Sequence, residues 1–254
     1  MTDRIEAPEI ASSPVRDPSI WEDLVDILFS PREVFERRRL SGYGGALLLL
    51  TILFVILTPL MQMSIAGIGE ATVRAALEAR GVEVTAEQLQ RMGRFSLIGS
   101  AVSPLIIVPV SALLGGLILW GLGSLAKVRM SIRAATVITV WSAFPRAAAM
   151  VANTIEASLH EPERITQLSF GPARFLGANA SPLLAGVLGR LDLFTLWTVV
   201  LTVIGIVAIG RIEDGQTRNE RKVGTGRAVV LAAGLWLVGS VPAVFGAFAA
   251  GFRR

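Results

Sequence analysis

Long uncharged stretches alternate with short clusters of charge along this chain. No charged side chain stands between Arg39 and Glu70, and none between Arg94 and Lys127. Each gap exceeds the roughly 20 residues that a helix needs to cross a bilayer core. A third apolar run, Ala134 to Ile155, is interrupted by Arg146. A fourth runs from Leu193 to Gly210 and a fifth from Ala228 to Gly251. Backbone groups in hydrocarbon must bond within their own segment, and no alternating strand pattern competes. The pattern therefore predicts an all-α, polytopic integral membrane protein. Its five transmembrane helices are expected at about 44–66, 96–124, 134–155, 193–211 and 228–251.

The segments between the spans carry their own signals. Residues 1–18 read as a polar tail, 19–40 as an amphipathic arm, and 41–254 as the five-span domain. In the arm, Ser19 with Glu22 fits a capping box before an apolar face of Ile20, Trp21, Leu24, Val25 and Leu28. A second start follows. Ser30 can cap, Pro31 suits the first helical position, Glu33 completes the reciprocal bond, and Phe29 with Val34 has the spacing of a hydrophobic staple. Two short helices bent at Ser30 are expected. Either Trp21, Phe35 and the Arg37-Arg38-Arg39 run lie in the lipid interface, or the arm packs on the protein's own loops. Between the first two spans, Gly81 has the place of a helix-ending glycine and Thr85 with Gln88 starts another helix, giving a hairpin. Ser181-Pro182 opens a short interfacial helix before the fourth span.

Charge then gives the topology. An odd number of spans puts the whole N-terminal segment (tail and arm together), the Lys127–Arg133 loop and the Arg211–Arg227 loop on one side. Those three segments hold 14 of the 24 Lys and Arg residues. Basic residues collect on the cytoplasmic side of membrane proteins, so the N-terminus is expected inside, the C-terminus outside, and the location is the cell (inner) membrane. The first forty residues show no cleavable leader. The net charge of +4 thus reads as a topology signal, not a nucleic-acid footprint.

Composition narrows the chemistry. Of the 254 residues, 52% are hydrophobic and 17% charged; Cys is absent and His160 is the lone histidine. Disulfides and thiolate metal sites are excluded. The cluster His160-Glu161-Pro162-Glu163 has no second His or Cys to complete a metal site. The stretch from Gly121 to Lys127 lacks P-loop spacing. Neither a catalytic set nor a cofactor is expected.

Two charged positions stand out. Asp192 immediately precedes the fourth span, where four helix N–H groups lack partners. A carboxylate there caps the helix and meets the positive end of its dipole, worth about 1 kcal/mol; a proton or cation site is the alternative. Trp197, one turn inside, suits the interfacial aromatic belt. Arg146 follows Pro145 inside the third span, where a guanidinium costs about 2.5–3.5 kcal/mol on insertion scales. It must face the interior or reach outward, with Glu156, Asp192 or Glu70 as candidate partners. It either orients the helix or contacts an anion or lipid headgroup. Pro145 frees a carbonyl near Trp141. Small residues recur at four-residue spacing: Ala135, Thr139, Ala143 and Ala147 in the third span, and Gly239, Ala243, Ala247 and Gly251 in the fifth. In the second span, Ser111 with Gly115 and Ala112 with Gly116 repeat the spacing. Such faces serve internal packing or dimerisation.

Three features occur in order. They are W-x-x-L-x-x-I-L-x-S-P-x-x-V-F from Trp21 to Phe35, a proline midway through the third of five spans, and L-D-L-F-T-L-W-T-V-V-L-T-V-I-G from Leu191 to Gly205. Together they make the chain resemble the YIP1 family of five-span membrane proteins, in its bacterial branch, over most of its length. The resemblance implies a cytoplasmic N-terminus and offers no catalytic residues. Eukaryotic relatives are adaptors in vesicle traffic that bind small GTPases and each other; the short arm here gives no ground for carrying those partners over. The function expected is a non-enzymatic adaptor or organiser. Its contacts would be the lipid bilayer and a membrane-protein partner or a second copy of the chain. The alternative is a small-solute or lipid transporter with Arg146 near its site.

Overall fold

A computed structural model describes residues 19–160, 165–177, 179–213 and 220–251. The expected tail falls outside them, as does most of the cluster beside His160. The arm comprises α1 (Ile20–Phe29) and α2 (Pro31–Ser41). Then come α3 (Gly44–Ser64), α4 (Ala66–Glu78), α5 (Ala86–Val102) and α6 (Pro104–Leu125). A two-residue strand β1 (Val128–Arg129) precedes α7 (Ile132–Trp141) and α8 (Phe144–His160). Two single 3₁₀ turns lead to α9 (Pro182–Leu188) and α10 (Leu193–Ile209). Strands β2 (Arg211–Glu213) and β3 (Glu220–Lys222) precede α11 (Thr225–Gly251).

Four of these helical runs are long and apolar enough to cross a membrane: α3, α6, the α7–α8 run Ile132–His160, and α11 over Thr225–Gly246. α10 has 17 residues, about 25 Å at 1.5 Å per residue. It reaches spanning length only together with α9, to which it is bent by 46°. The first, fourth and fifth predicted stretches begin and end within three residues of the helices α3, α10 and α11, although α10 alone is short of spanning length.

The second and third do not. Residues 96–102, expected inside the second span, belong to α5, because Pro104 has no N–H to continue the ladder and the chain breaks at Ser103. The third span extends further at both ends than predicted and breaks at Ser142-Ala143. Pro145 cannot donate to the Trp141 carbonyl, and tighter bonds replace the ladder: Ala143 N–H to the Val140 carbonyl at 3.1 Å, Arg146 N–H to the Ala143 carbonyl at 3.0 Å. Three of the cap signals hold. Gly81 takes a left-handed φ of +72°, the Thr85–Gln88 box forms, and Ser181 caps α9.

The third span is the core of the bundle. Its most apolar 18 residues are 61% buried, against 17–22% for α3, α6 and α11. Around α7, Ala135, Val137, Ile138, Val140 and Trp141 are fully enclosed, as expected of a helix surrounded by protein. The small-residue faces of α6 and α7 lock together. A Cβ on Gly116 would stand 2.8 Å from the Thr136 Cα, and the Thr139 hydroxyl donates to the Ala112 carbonyl at 3.0 Å. These faces serve internal packing. Two described positions of the fifth-span face do not: Gly239 has open space where a side chain would be, and Ala243 is exposed.

The three-stranded sheet, ordered β1-β2-β3, had no signal in the hydrophobic pattern. It ties the loop after α6 to the loop after α10, pairing Val128 with Ile212 and Arg129 with Arg211. The arm joins them: Arg133 lies against Gly42, at the α2–α3 turn. The three basic segments thus share one face, called here the N-terminal face.

Candidate functional site

At the N-terminal face the arm is built from α1 upward. Ser19 accepts from the Glu22 N–H, and Glu22 accepts from the Ser19 N–H at 2.8 Å. The apolar face of α1 then divides in two. Ile20, Leu24 and Ile27 turn to the bundle, and the tip of Ile20 rests on Gly45 at the start of α3. Trp21, Val25, Leu28 and Phe29 turn outward and are 66%, 57%, 47% and 81% exposed.

The second start differs from expectation. Ser30 makes no side-chain cap, so the Ser30–Glu33 box is absent. Its N–H instead closes α1 on the Asp26 carbonyl at 2.6 Å. Pro31 does occupy the first turn of α2. The staple is absent too, because Val34 is fully buried while Phe29 points away. What seats α2 is Phe35, fully buried against Gly205 of α10 and beside Ile138 of α7. The arm therefore packs on helices of the bundle through α2 and presents one half of α1 outward.

An ion cluster missed in the sequence joins the two arm helices. Asp23, fully buried, accepts from Arg37 at 2.7 Å and from Arg38 Nε. Arg37 also donates to Asp26 at 2.6 Å; that bond, foremost, raises the Arg37 pKa. Two of the three consecutive arginines are thus engaged within the arm. The signal was present: Asp23 falls at i+3 from Ile20 and i−4 from Ile27, an acid inside the buried stripe. A buried carboxylate is retained only where cations pair with it.

At the opposite face, Asp192 caps α10 as expected. Its Oδ1 accepts from the Thr195 N–H at 2.9 Å and its Oδ2 from the Thr195 hydroxyl at 2.8 Å. The backbone of Gly171 lies hard against Leu191 and Asp192, and Phe170 meets Phe194 edge-on at 5.4 Å, so the entry to α10 is held from two sides. Trp197 is 36% exposed. Arg146 is exposed on α8, between buried Pro145 and Ala147. Its other candidate partners are engaged: Glu156 with Arg174, and Glu70 with Arg74 at 3.7 Å. Arg190 ties α9 to α11, donating to the Ser240 hydroxyl at 3.2 Å and the Gly239 carbonyl at 3.0 Å.

A crevice of about 300 Å³ opens beside this junction, lined by Met61, Asn153, Ser169, Phe170, Asp192 and Phe194 among others. Arg146 is not among its described lining residues. Among the described residues no group of three or more His, Cys, Asp or Glu is placed to hold a metal ion. At this junction Arg190 links the end of α9 to α11, Glu156 links α8 to Arg174 of the second 3₁₀ turn, and Asp192 caps α10.

No significant match is found among curated proteins or among solved structures. A family model for the Yip1 domain matches residues 25–246, from the middle of α1 to the last turns of α11. The arm from Val25 onward, the central third span and the capped entry to α10 fall inside that match, and the chain belongs to the Yip1 domain family.

Proposed function

We propose that this Yip1-family chain is a non-enzymatic membrane adaptor or organiser. In this reading it sits in a bacterial inner membrane, with its N-terminus in the cytoplasm and its C-terminus outside, and works through lipid or protein contacts at its cytoplasmic face. One observation carries the reading: the divided apolar face of α1. Its inner half packs on the bundle through Ile20, Leu24 and Ile27 and is tied to α2 by the Asp23 cluster. Its outer half exposes Trp21, Val25, Leu28 and Phe29 at the depth where α3 enters the bilayer, since Ile20 touches Gly45. Apolar side chains at that depth, aromatic ones above all, favour the headgroup boundary. A fixed interfacial helix gives other membrane components a rigid ledge at the inner surface. The excess of basic residues on this face supports its cytoplasmic placement.

The test is spin labels introduced singly at positions 21, 25 and 28 in lipid nanodiscs. High oxygen accessibility with low accessibility to a water-soluble relaxant is expected at all three. The reverse pattern would remove the arm from the membrane and the reading with it. Transport is the alternative. A solute flux into proteoliposomes that depends on the chain and is lost in Arg146→Leu would replace the adaptor reading.

A further inference from the structure

The N-terminal face holds a second feature, distinct from the arm's apolar ledge. Across the small sheet, alternate residues point to opposite sides. One row, Val128 and Ile212, packs on the core. The other runs Arg129, Arg211, Lys222, three cations directly opposite one another on successive strands. Like charges in that relation repel, and two residues along, the same register pairs Glu213 with Glu220.

The cationic row borders an open pocket of about 590 Å³, whose lining includes Arg39, Lys127, Arg129 and Arg211 with Trp120 and Ser124. None of its described lining residues is acidic. Arg211 is held in place by donating to the Ala208 and Gly210 carbonyls at 3.1 and 2.8 Å. Lys127 is the only non-glycine among the described residues with a left-handed backbone, at φ +56°. Glycine serves that position at the end of a helix without strain; here the chain places an ammonium group beside the pocket. On α6, Trp120, Leu117 and Leu113 form an exposed stripe that descends from the pocket along the lipid-facing side.

We propose that this pocket binds the phosphate headgroup of an anionic phospholipid, with the acyl chains lying along the Trp120 stripe. Basic pockets between helices at the inner leaflet suit such headgroups, Arg forks match phosphate oxygens, and the apolar stripe gives a lipid an advantage over a soluble phosphate. The inference rests on the reading of this face as a lipid-contacting surface, but on different residues from the exposed apolar half of α1, so the two fail separately.

The experiment is native mass spectrometry of the whole chain released from nanodiscs of phosphatidylcholine and phosphatidylglycerol. Retained phosphatidylglycerol should exceed its share of the bilayer. Each cation near the surface accounts for about a fivefold preference, so Arg39→Gln with Lys127→Gly should lower it roughly 25-fold. Lys127→Gly alone should weaken retention with the melting temperature unchanged, because glycine accepts the left-handed backbone. A charge-matched control, Arg32→Gln with Arg227→Gln, should leave retention within twofold. Trp21→Ser with Leu28→Ser should leave it unchanged even where the arm has left the bilayer. Equal loss in the control would reduce the site to a diffuse field and overturn the proposal. Displacement by millimolar inorganic phosphate as effective as by short-chain phosphatidylglycerol would overturn it in favour of a soluble anion.

Discussion

The ring of Phe35 fills the space that a side chain at Gly205 would need. A Cβ there would stand 3.1 Å from Phe35 Cε1 and 3.0 Å from Ile138 Cγ2. A residue of the arm is thereby keyed into the fourth and third spans at once. Gly205→Ala is expected to cost about 1–3 kcal/mol, the range for overpacking, and Phe35→Ala about 3–5 kcal/mol. Combining Gly205→Ala with Phe35→Ala should cost less than the sum, since the two share one space. Melting in detergent, followed for all four proteins, reads this directly; additive losses would mean that the two side chains do not compete.

Asp23 is the anchor between the arm helices. Asp23→Asn leaves two arginines facing a neutral amide, at a cost of about 3 kcal/mol. That is the low end for breaking a buried pair, because Arg37 keeps 32% of its side chain exposed. Asp26 is 36% exposed, and Asp26→Asn should cost 1 kcal/mol or less. Limited proteolysis should cut the arm faster in the first variant and hardly at all in the second.

The α6–α7 contact separates two adjacent glycines. A Cβ at Gly115 would meet Thr139 Cγ2 at 3.4 Å, ordinary contact, whereas at Gly116 it would meet backbone at 2.8 Å. Gly115→Ala is expected to be neutral within about 0.5 kcal/mol. Gly116→Ala should lose about 2–3 kcal/mol and yield of monodisperse protein. Equal behaviour of the two would contradict the close approach.

Asp192→Ala should cost about 1 kcal/mol, the loss of one cap, with Asp192→Asn retaining most of it because asparagine caps as well. A proton or cation site would behave differently: the asparagine variant would abolish a pH- or cation-dependent melting shift that the parent chain shows.

Because the chain has no cysteine, single cysteines report topology without background. Ser131→Cys and Gly224→Cys should label with an impermeant maleimide from one compartment, and Thr85→Cys from the other. Labelling of Ser131→Cys and Gly224→Cys from opposite sides would break the joint sidedness that the β1–β2 pairing requires.

The membrane-spanning character of this chain, the helices α3, α10 and α11, the Ser19 and Thr85 boxes and the cap at Asp192 were all readable from residue order. Each depends on neighbours within a few positions: an uncharged run answers to the bilayer, and a cap answers to the helix that follows it. The break at Ser142-Ala143 was half readable, since Pro145 announces a lost bond but not where the turn tightens. What only the tertiary structure decided lies between segments distant in sequence. Ser30 fits a cap yet does not form one, because burial of Val34 and Phe35 sets the angle of α2. Arg37 and Arg38 look like headgroup contacts until Asp23 is seen to be enclosed beside them. The cationic row on the sheet exists only because two loops more than eighty residues apart pair at Arg129 and Arg211. Local preferences are resolved by adjacent residues, whereas the pairing of distant charges and the seating of one ring depend on which helices pack together, which no window of neighbouring residues contains.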